Sequence, residues 1–161
     1  QEAITKWTEI KLTKPNIKLH LIGKLQTNKV KQALKLFDYI HSVDTKKLAK
    51  KIADEELKQN KKIKIFLQIN IGDEEQKSGI NKDYLNEFYL YCKNLNLDVV
   101  GLMCIPPAEA KSEIFFEEMA LLNKKLDLKE LSMGMSADYI EAAKNFSTYL
   151  RIGSNIFGKR N

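Results

Sequence analysis

The apolar positions of this chain fall into short runs separated by stripes at helical spacing. Residues 2–12 place Ile4, Trp7, Ile10 and Leu12 on one side of a helix, which Pro15-Asn16 then breaks. The run from Ile17 to Ile22 closes on Gly23 and predicts a strand. Thr27 or Asn28 is placed to cap a following helix whose inner face carries Val30, Ala33, Leu34 and Phe37. Tyr39 to Val43 predicts a second strand. Asp44-Thr45 then caps a lysine-rich helix with Leu48, Ile52, Ala53 and Leu57 inward. Residues 63–71 are apolar at nearly every central position, the pattern of a parallel strand buried on both faces. Asn81 opens a helix that runs to Asn94, and residues 98–105 form a strand ended by Pro106-Pro107. Ala108 to Leu126 predicts an amphipathic helix with Ile114, Phe115, Met119 and Leu122 inward. Strands at 129–133 and 149–153 flank a last helical segment, Asp138 to Phe146.

Strand and helix alternate without hairpin signals, which predicts parallel strands and an α/β fold. Six strands are too few for a closed (β/α)8 barrel, which takes about 250 residues. The alternatives are an open doubly wound sheet or a barrel of this type lacking two βα units. A doubly wound dinucleotide fold expects a glycine-rich loop after an early strand. The loop Gly23 to Lys29 lacks G-x-G-x-x-G, and no P-loop motif is present. The small-residue loops come last instead, in Leu131-Ser-Met-Gly-Met-Ser136 and in Leu150-Arg-Ile-Gly-Ser-Asn-Ile-Phe-Gly158. Loops after the last two strands are where barrels of this type hold a phosphate. That placement favours the barrel. With no linker or low-complexity tract, residues 1–161 read as a single domain.

Composition changes this picture little. The chain is 43% hydrophobic and 30% charged, ordinary for a globular protein, and no apolar run approaches the ~20 residues that span a membrane. The net charge of +6 raises a basic RNA- or protein-binding module as an alternative. However, 25 of the 27 basic residues are lysines, mostly interleaved with acids on helices, and no aromatic-plus-basic RNA signature is present. Arginine is rare, so Arg151 on the last strand suggests a need for the planar guanidinium fork. Cys92 and Cys104 form no C-x-x-C pair and have no histidine cluster nearby. They predict neither zinc nor a disulfide, and fit reduced thiols in the cytoplasm. Residue 1 is Gln rather than Met, and no basic-then-apolar leader follows. The expectation is a processed or partial chain without a secretory signal.

The residues singled out each carry a plainer reading too. Ser136, Gly153 and Ser154 are also ordinary turn chemistry, and Arg151 could be a structural ion-pair former. His20 on an apolar strand could be a satisfied core histidine, and Gln26-Thr-Asn28 plain loop and cap residues. Lys77, in the loop after the long strand, is either a solvated lysine or a rim lysine that meets an aldehyde. Met133 and Met135 read as core and pocket packing.

Six blocks together are similar to a known family. Leu19-His-Leu-Ile-Gly-Lys-Leu-Gln-Thr-Asn-Lys29, Gln68-Ile-Asn70, Glu75-Gln-Lys-Ser-Gly79, Gly101-Leu-Met-Cys-Ile-Pro106, Leu131 to Ser136 and Arg151 to Gly158 resemble the YggS/PROSC family of pyridoxal-phosphate homeostasis proteins. They fall in the family's order and spacing over essentially the whole chain. Leu19 is a departure, since the family usually has an aromatic before the histidine. The resemblance implies an alanine-racemase-type barrel of the N-terminal-domain kind that binds pyridoxal 5′-phosphate without the second domain of the racemases. It implies a phosphate site at Ser136, with Met135 beside it, and at Gly153 and Ser154. It makes Arg151 the partner of the pyridine nitrogen, which keeps that nitrogen unprotonated and the ring a weak electron sink. His20 would line the pocket from the barrel mouth. It further implies cofactor holding and delivery rather than catalysis, with apo pyridoxal-phosphate enzymes as recipients and no metal. A racemase-type enzyme is the alternative, and needs a lysine and a second acid/base. The family's first two strands, including its aldimine lysine, have no counterpart here, so that lysine is expected upstream. Family members are expected to be monomers. Without the first two strands, the strands at 17–22 and 149–153 would be unpaired edges, leaving a gap in the wall or pairing with another chain.

Overall fold

The computed structural model describes residues 2–75, 77–108 and 110–158, with side chains from Trp7 onward. The elements run α1 (Glu2–Thr13), β1 (His20–Leu21), α2 (Val30–Leu36), β2 (Tyr39–Val43), α3 (Lys46–Gln59), β3 (Lys64–Ile69), α4 (Leu85–Asn94), β4 (Asp98–Cys104), α5 (Ser112–Lys125), β5 (Glu130–Met135), α6 (Tyr139–Lys144), β6 (Tyr149–Arg151) and α7 (Ser154–Phe157). The six strands form one parallel sheet in the order β1-β2-β3-β4-β5-β6. Each strand therefore lies beside the next in sequence, as in a barrel; a doubly wound sheet reverses its order partway.

Laid flat, five strand spacings of about 4.8 Å would hold the outer strands about 24 Å apart. Yet the rings of His20 on β1 and Tyr149 on β6 have centroids 5.3 Å apart. The sheet therefore curls into a half-barrel with these side chains on its concave face. Among the described residues β1 and β6 are its two edges.

The convex face carries the core. Ile40, Ile65, Leu67, Ile69, Leu102, Leu131 and Met133 pack with Leu34, Leu48, Ile52, Phe88, Phe116 and Met119 from the helices. Gly101 marks the tightest strand contact, since a Cβ there would lie 1.8 Å from the Glu130 carbonyl oxygen. Asn123 ties α5 to the sheet, accepting from the Leu102 amide (3.1 Å) and donating to the Leu128 carbonyl (2.9 Å).

The structure alters several sequence-based expectations. Thr45 caps α3 by accepting from the Leu48 amide (3.2 Å), while Asp44 accepts from the Gly79 amide instead. Thr27 and Asn28 do not cap; Thr27–Lys29 is a 3-10 turn that leads into α2. Leu57 is 82% exposed rather than inward. Helix α5 begins at Ser112, and its buried stripe is Phe116, Met119 and Asn123 rather than one through Ile114. Among the described residues no helix is long and apolar enough to cross a membrane.

Candidate functional site

The C-terminal ends of all six strands meet at one rim. Strand β5 ends there in Gly134-Met135. Gly134 has φ +90°, and a Cβ on it would lie 2.5 Å from the Cβ of Ala142 on α6, so packing and backbone both require glycine. Beyond it, the Met135 amide donates to Asp138 Oδ1 (2.7 Å), and the Asp138 amide donates to the Met135 carbonyl (3.0 Å). This closed turn presents Ser136 toward the loop that follows β6. Ser136 Oγ accepts from the amides of Gly153 (3.1 Å) and Asn155 (3.5 Å), and Asn155 Nδ2 donates to the Ser136 carbonyl (2.9 Å). The space over Gly153 is open, since a Cβ there would meet no atom within 4 Å. Met135, Ser136, Gly153 and Ser154 thus converge at the rim. Two backbone N–H groups face one hydroxyl, and an anion that displaced the hydroxyl would inherit both donors.

Arg151 lies one step deeper, on the concave face. One of its terminal nitrogens donates to Ser132 Oγ (2.8 Å) and the other to the Cys104 carbonyl (2.8 Å). Both acceptors are neutral. Among the described residues the guanidinium has no carboxylate in contact, although Asp138 acts on it from a distance. A half-buried cation held by neutral groups is partly desolvated with no carboxylate in contact to compensate it. Two of its five N–H donors are used, so others are left to give.

The same serine starts a chain across the concave face. His41 Nδ1 lies 2.8 Å from Ser132 Oγ, and His41 Nε2 lies 2.9 Å from His20 Nδ1. His41 stacks on Phe66 (centroids 4.2 Å), and His20 stacks on Tyr39 (4.1 Å, planes within 6°). Tyr149 touches both histidines and donates to the Tyr39 hydroxyl (3.5 Å). Desolvation pushes the His41 imidazole down to about 3, helped by His20 and Arg151. Burial also lowers His20, against the pull of Asp38. The Tyr149 phenol is pushed up to about 12, first by its hydrogen bond with Tyr39 and then by burial. Burial holds the Cys104 thiol up at about 12, an inert sulfur.

His20 is thus not at the rim with Met135, Ser136, Gly153 and Ser154. It stands on the inner wall, linked to Arg151 through two residues that sequence reasoning passed over, His41 and Ser132. Tyr39, Tyr149 and Asn155 were passed over as well. The available signal was polar residues at alternate positions of apolar strands, in Tyr39-Ile-His-Ser-Val43 and Leu131-Ser-Met133. Lys77 pairs with Glu74 (2.5 Å) in the loop after β3. That loop hangs on Asn70, which donates to the Glu74 carbonyl (2.9 Å) and accepts from its amide (3.2 Å). A groove of about 650 Å³ lined by Leu121, Leu128 and Phe146 lies elsewhere, between α5 and α6 by the loops that precede β5 and β6. Among the described residues no group of His, Cys, Asp and Glu is arranged to hold a metal.

Comparison with known proteins gives this geometry a setting. Residues 1–161 match the family described as alanine racemase, N-terminal domain. The pyridoxal phosphate homeostasis protein of Aquifex aeolicus is 36% identical, covering 99% of this chain and 74% of that protein. The protein of the same name from Haemophilus influenzae is 35% identical over all of this chain and 73% of its own length. The structure of PipY from Synechococcus elongatus, with pyridoxal phosphate bound, superposes with a TM-score of 0.90 at 31% identity, covering 98% of this chain and 78% of that one. An alanine racemase of Clostridium difficile shares the fold at 18% identity, with a TM-score of 0.69. The half-barrel and the sequence agree, and the chain belongs to the alanine racemase N-terminal domain family, among the pyridoxal phosphate homeostasis proteins.

Proposed function

We propose that this chain binds pyridoxal 5′-phosphate on the concave face of its half-barrel and serves in holding and delivering that cofactor rather than in catalysis. Arg151 carries the reading. It is a half-buried cation with neutral partners and, among the described residues, unused donors, set beneath a rim of backbone N–H groups. That donor set suits a phosphate at the rim and an unprotonated ring nitrogen below it. When bound, the cofactor supplies an aldehyde and an electron-withdrawing pyridine ring. The Gly153 and Asn155 amides with Ser136 would hold the phosphate, and Ser154 stands beside them. Arg151 would donate to the ring nitrogen. An arginine cannot give up its proton to that nitrogen, so the ring stays a poor electron sink. Met135 at the rim would cover one side.

Delivery rather than turnover fits the rest of the face. Racemase-type chemistry needs a second group that exchanges protons near neutral pH. Tyr39 and Tyr149 are bonded to each other, and the Tyr149 phenol is held far above that range. Apo pyridoxal-phosphate enzymes are the proposed recipients, and residues 1–161 are proposed to act as one domain. Calorimetric titration with pyridoxine 5′-phosphate, which needs no lysine to bind, is the test. The expectation is 1:1 binding that R151M weakens at least tenfold; no binding, or binding indifferent to R151M, overturns the reading. Racemisation of alanine above background would restore the enzyme alternative.

A further inference from the structure

We infer that His41 and Ser132 are positioning residues for Arg151, acting through a hydrogen-bond chain of fixed direction that runs from Arg151 through Ser132 and His41 to His20. The direction follows from what each group can do. A guanidinium only donates, so Ser132 Oγ accepts from Arg151 (2.8 Å). Ser132 is fully buried, and among the described residues its hydroxyl proton has one acceptor within reach, His41 Nδ1 (2.8 Å). Leaving a buried donor unpaired is expensive. His41 therefore accepts at Nδ1 and carries its proton on Nε2. That proton faces His20 Nδ1 (2.9 Å), which leaves the His20 proton on Nε2 as well.

Every donor in this chain points away from the guanidinium charge, so each bond polarises the next in the favourable sense. The reverse direction would aim a second N–H at Ser132 Oγ and strand the hydroxyl proton. The ring plane of His41 is fixed by Phe66 on one face and the edge of Tyr149. The titratable groups facing it are His20 from β1, Tyr39 from β2, and Tyr149 and Arg151 from β6; of the two histidines, Asp38 bears on His20. A proton added to His41 Nδ1 would place a second cation beside Arg151 and reverse the bond between Ser132 and His41. While His41 stays neutral, Ser132 and the Cys104 carbonyl hold two corners of the guanidinium plane and leave its other donors aimed. The importance of that aim rests on the pyridoxal-phosphate reading; the chain itself does not.

The sequence has two histidines and two arginines, so nitrogen-15 labelling of these residues gives spectra with very few signals. In the ligand-free protein between pH 5 and 8, His41 is expected neutral with the proton on Nε2, and His20 is expected to carry its proton on Nε2 wherever it is neutral. An Nδ1–H tautomer or an imidazolium at His41 within that range overturns the inference, and this arm requires no variant to fold. S132A and H41L are expected to speed side-chain N–H exchange at Arg151 at least tenfold. H41N, whose Oδ1 keeps an acceptor for Ser132, should restore most of the protection. A merely structural role would instead make exchange follow melting temperature across all three variants, which overturns the positioning role. Pyridoxine 5′-phosphate is then added to the same samples. If the wild-type tautomers are as stated but the ligand leaves Arg151 unshifted, the cofactor reading fails and the chain stands. If S132A and H41L bind it as tightly as wild type, the positioning role fails and the cofactor reading stands.

Discussion

Along β5, Leu131 and Met133 turn toward the helices while Ser132 turns the other way; along β2, Ile40 and His41 part in the same manner. The convex side of the central strands is mainly aliphatic and covered by helices. The concave side holds His20, Tyr39, His41, Phe66, Ser132, Tyr149 and Arg151, joined by rings and hydrogen bonds. One side is held by apolar burial, which has no preferred direction. The other is held by donors and acceptors that must match one by one. Stability is therefore expected to reside on the convex side and ligand recognition on the concave one.

The largest expected effect breaks the convex side. Leu102 is fully buried between the sheet and α5, and Leu102→Ala is expected to cost roughly 2–5 kcal/mol in chemical denaturation. Arg151→Met should do the opposite kind of damage. It removes hydrogen bonds of about 1.5–3 kcal/mol to the ligand, a tenfold or greater loss of affinity by calorimetry. The melting temperature should change little, since removing a half-buried charge with no carboxylate in contact offsets the acceptors left behind on Ser132 and Cys104. A large drop in melting temperature would mean that Arg151 belongs to the scaffold.

A smaller effect is graded by pH. His41 is pushed from 6.5 to about 3 in the fold, so the unfolded chain binds the proton first as pH falls. Stability should thus be full above about pH 6.5 and decline toward pH 3, with a slope of up to about 1.4 kcal/mol per pH unit. His20, also lowered, adds in the same sense, whereas the lowered Asp38 contributes only below its own range near 3.8. Urea melts from pH 7 to 4 on wild type and H41N check this; an unchanged slope in H41N assigns it elsewhere. The smallest effect is a control at the N-terminus of α3, outside the concave face. Thr45→Ala removes the cap on the Leu48 amide and should cost about 1 kcal/mol while leaving ligand affinity unchanged.

The same division explains what could be read from sequence. Aliphatic runs and their spacing made all six strands legible, because apolar burial leaves a periodic trace. Boundaries shifted where hydrogen bonding decides. The run over residues 17–22 pairs with β2 only at His20–Leu21, and β5 extends to Met135 because Gly134 allows close packing on α6. The rim residues Ser136, Gly153 and Ser154 were legible as small-residue loops after the last strands. The arrangement behind them was not. His41 and Ser132 are single polar residues inside strands, and nothing local tells that they meet from positions 91 residues apart. Leu57 and Ile114 misled because a helical stripe fixes a spacing but not which side the sheet takes.

The most direct measurement is a crystal structure of the chain with pyridoxine 5′-phosphate. The account predicts the phosphate on the amides of the Gly153–Asn155 loop beside Ser136, and the ring nitrogen within hydrogen-bond distance of Arg151. A ligand seated elsewhere, or seated at the rim with Arg151 still bonded only to Ser132 and the Cys104 carbonyl, would contradict it.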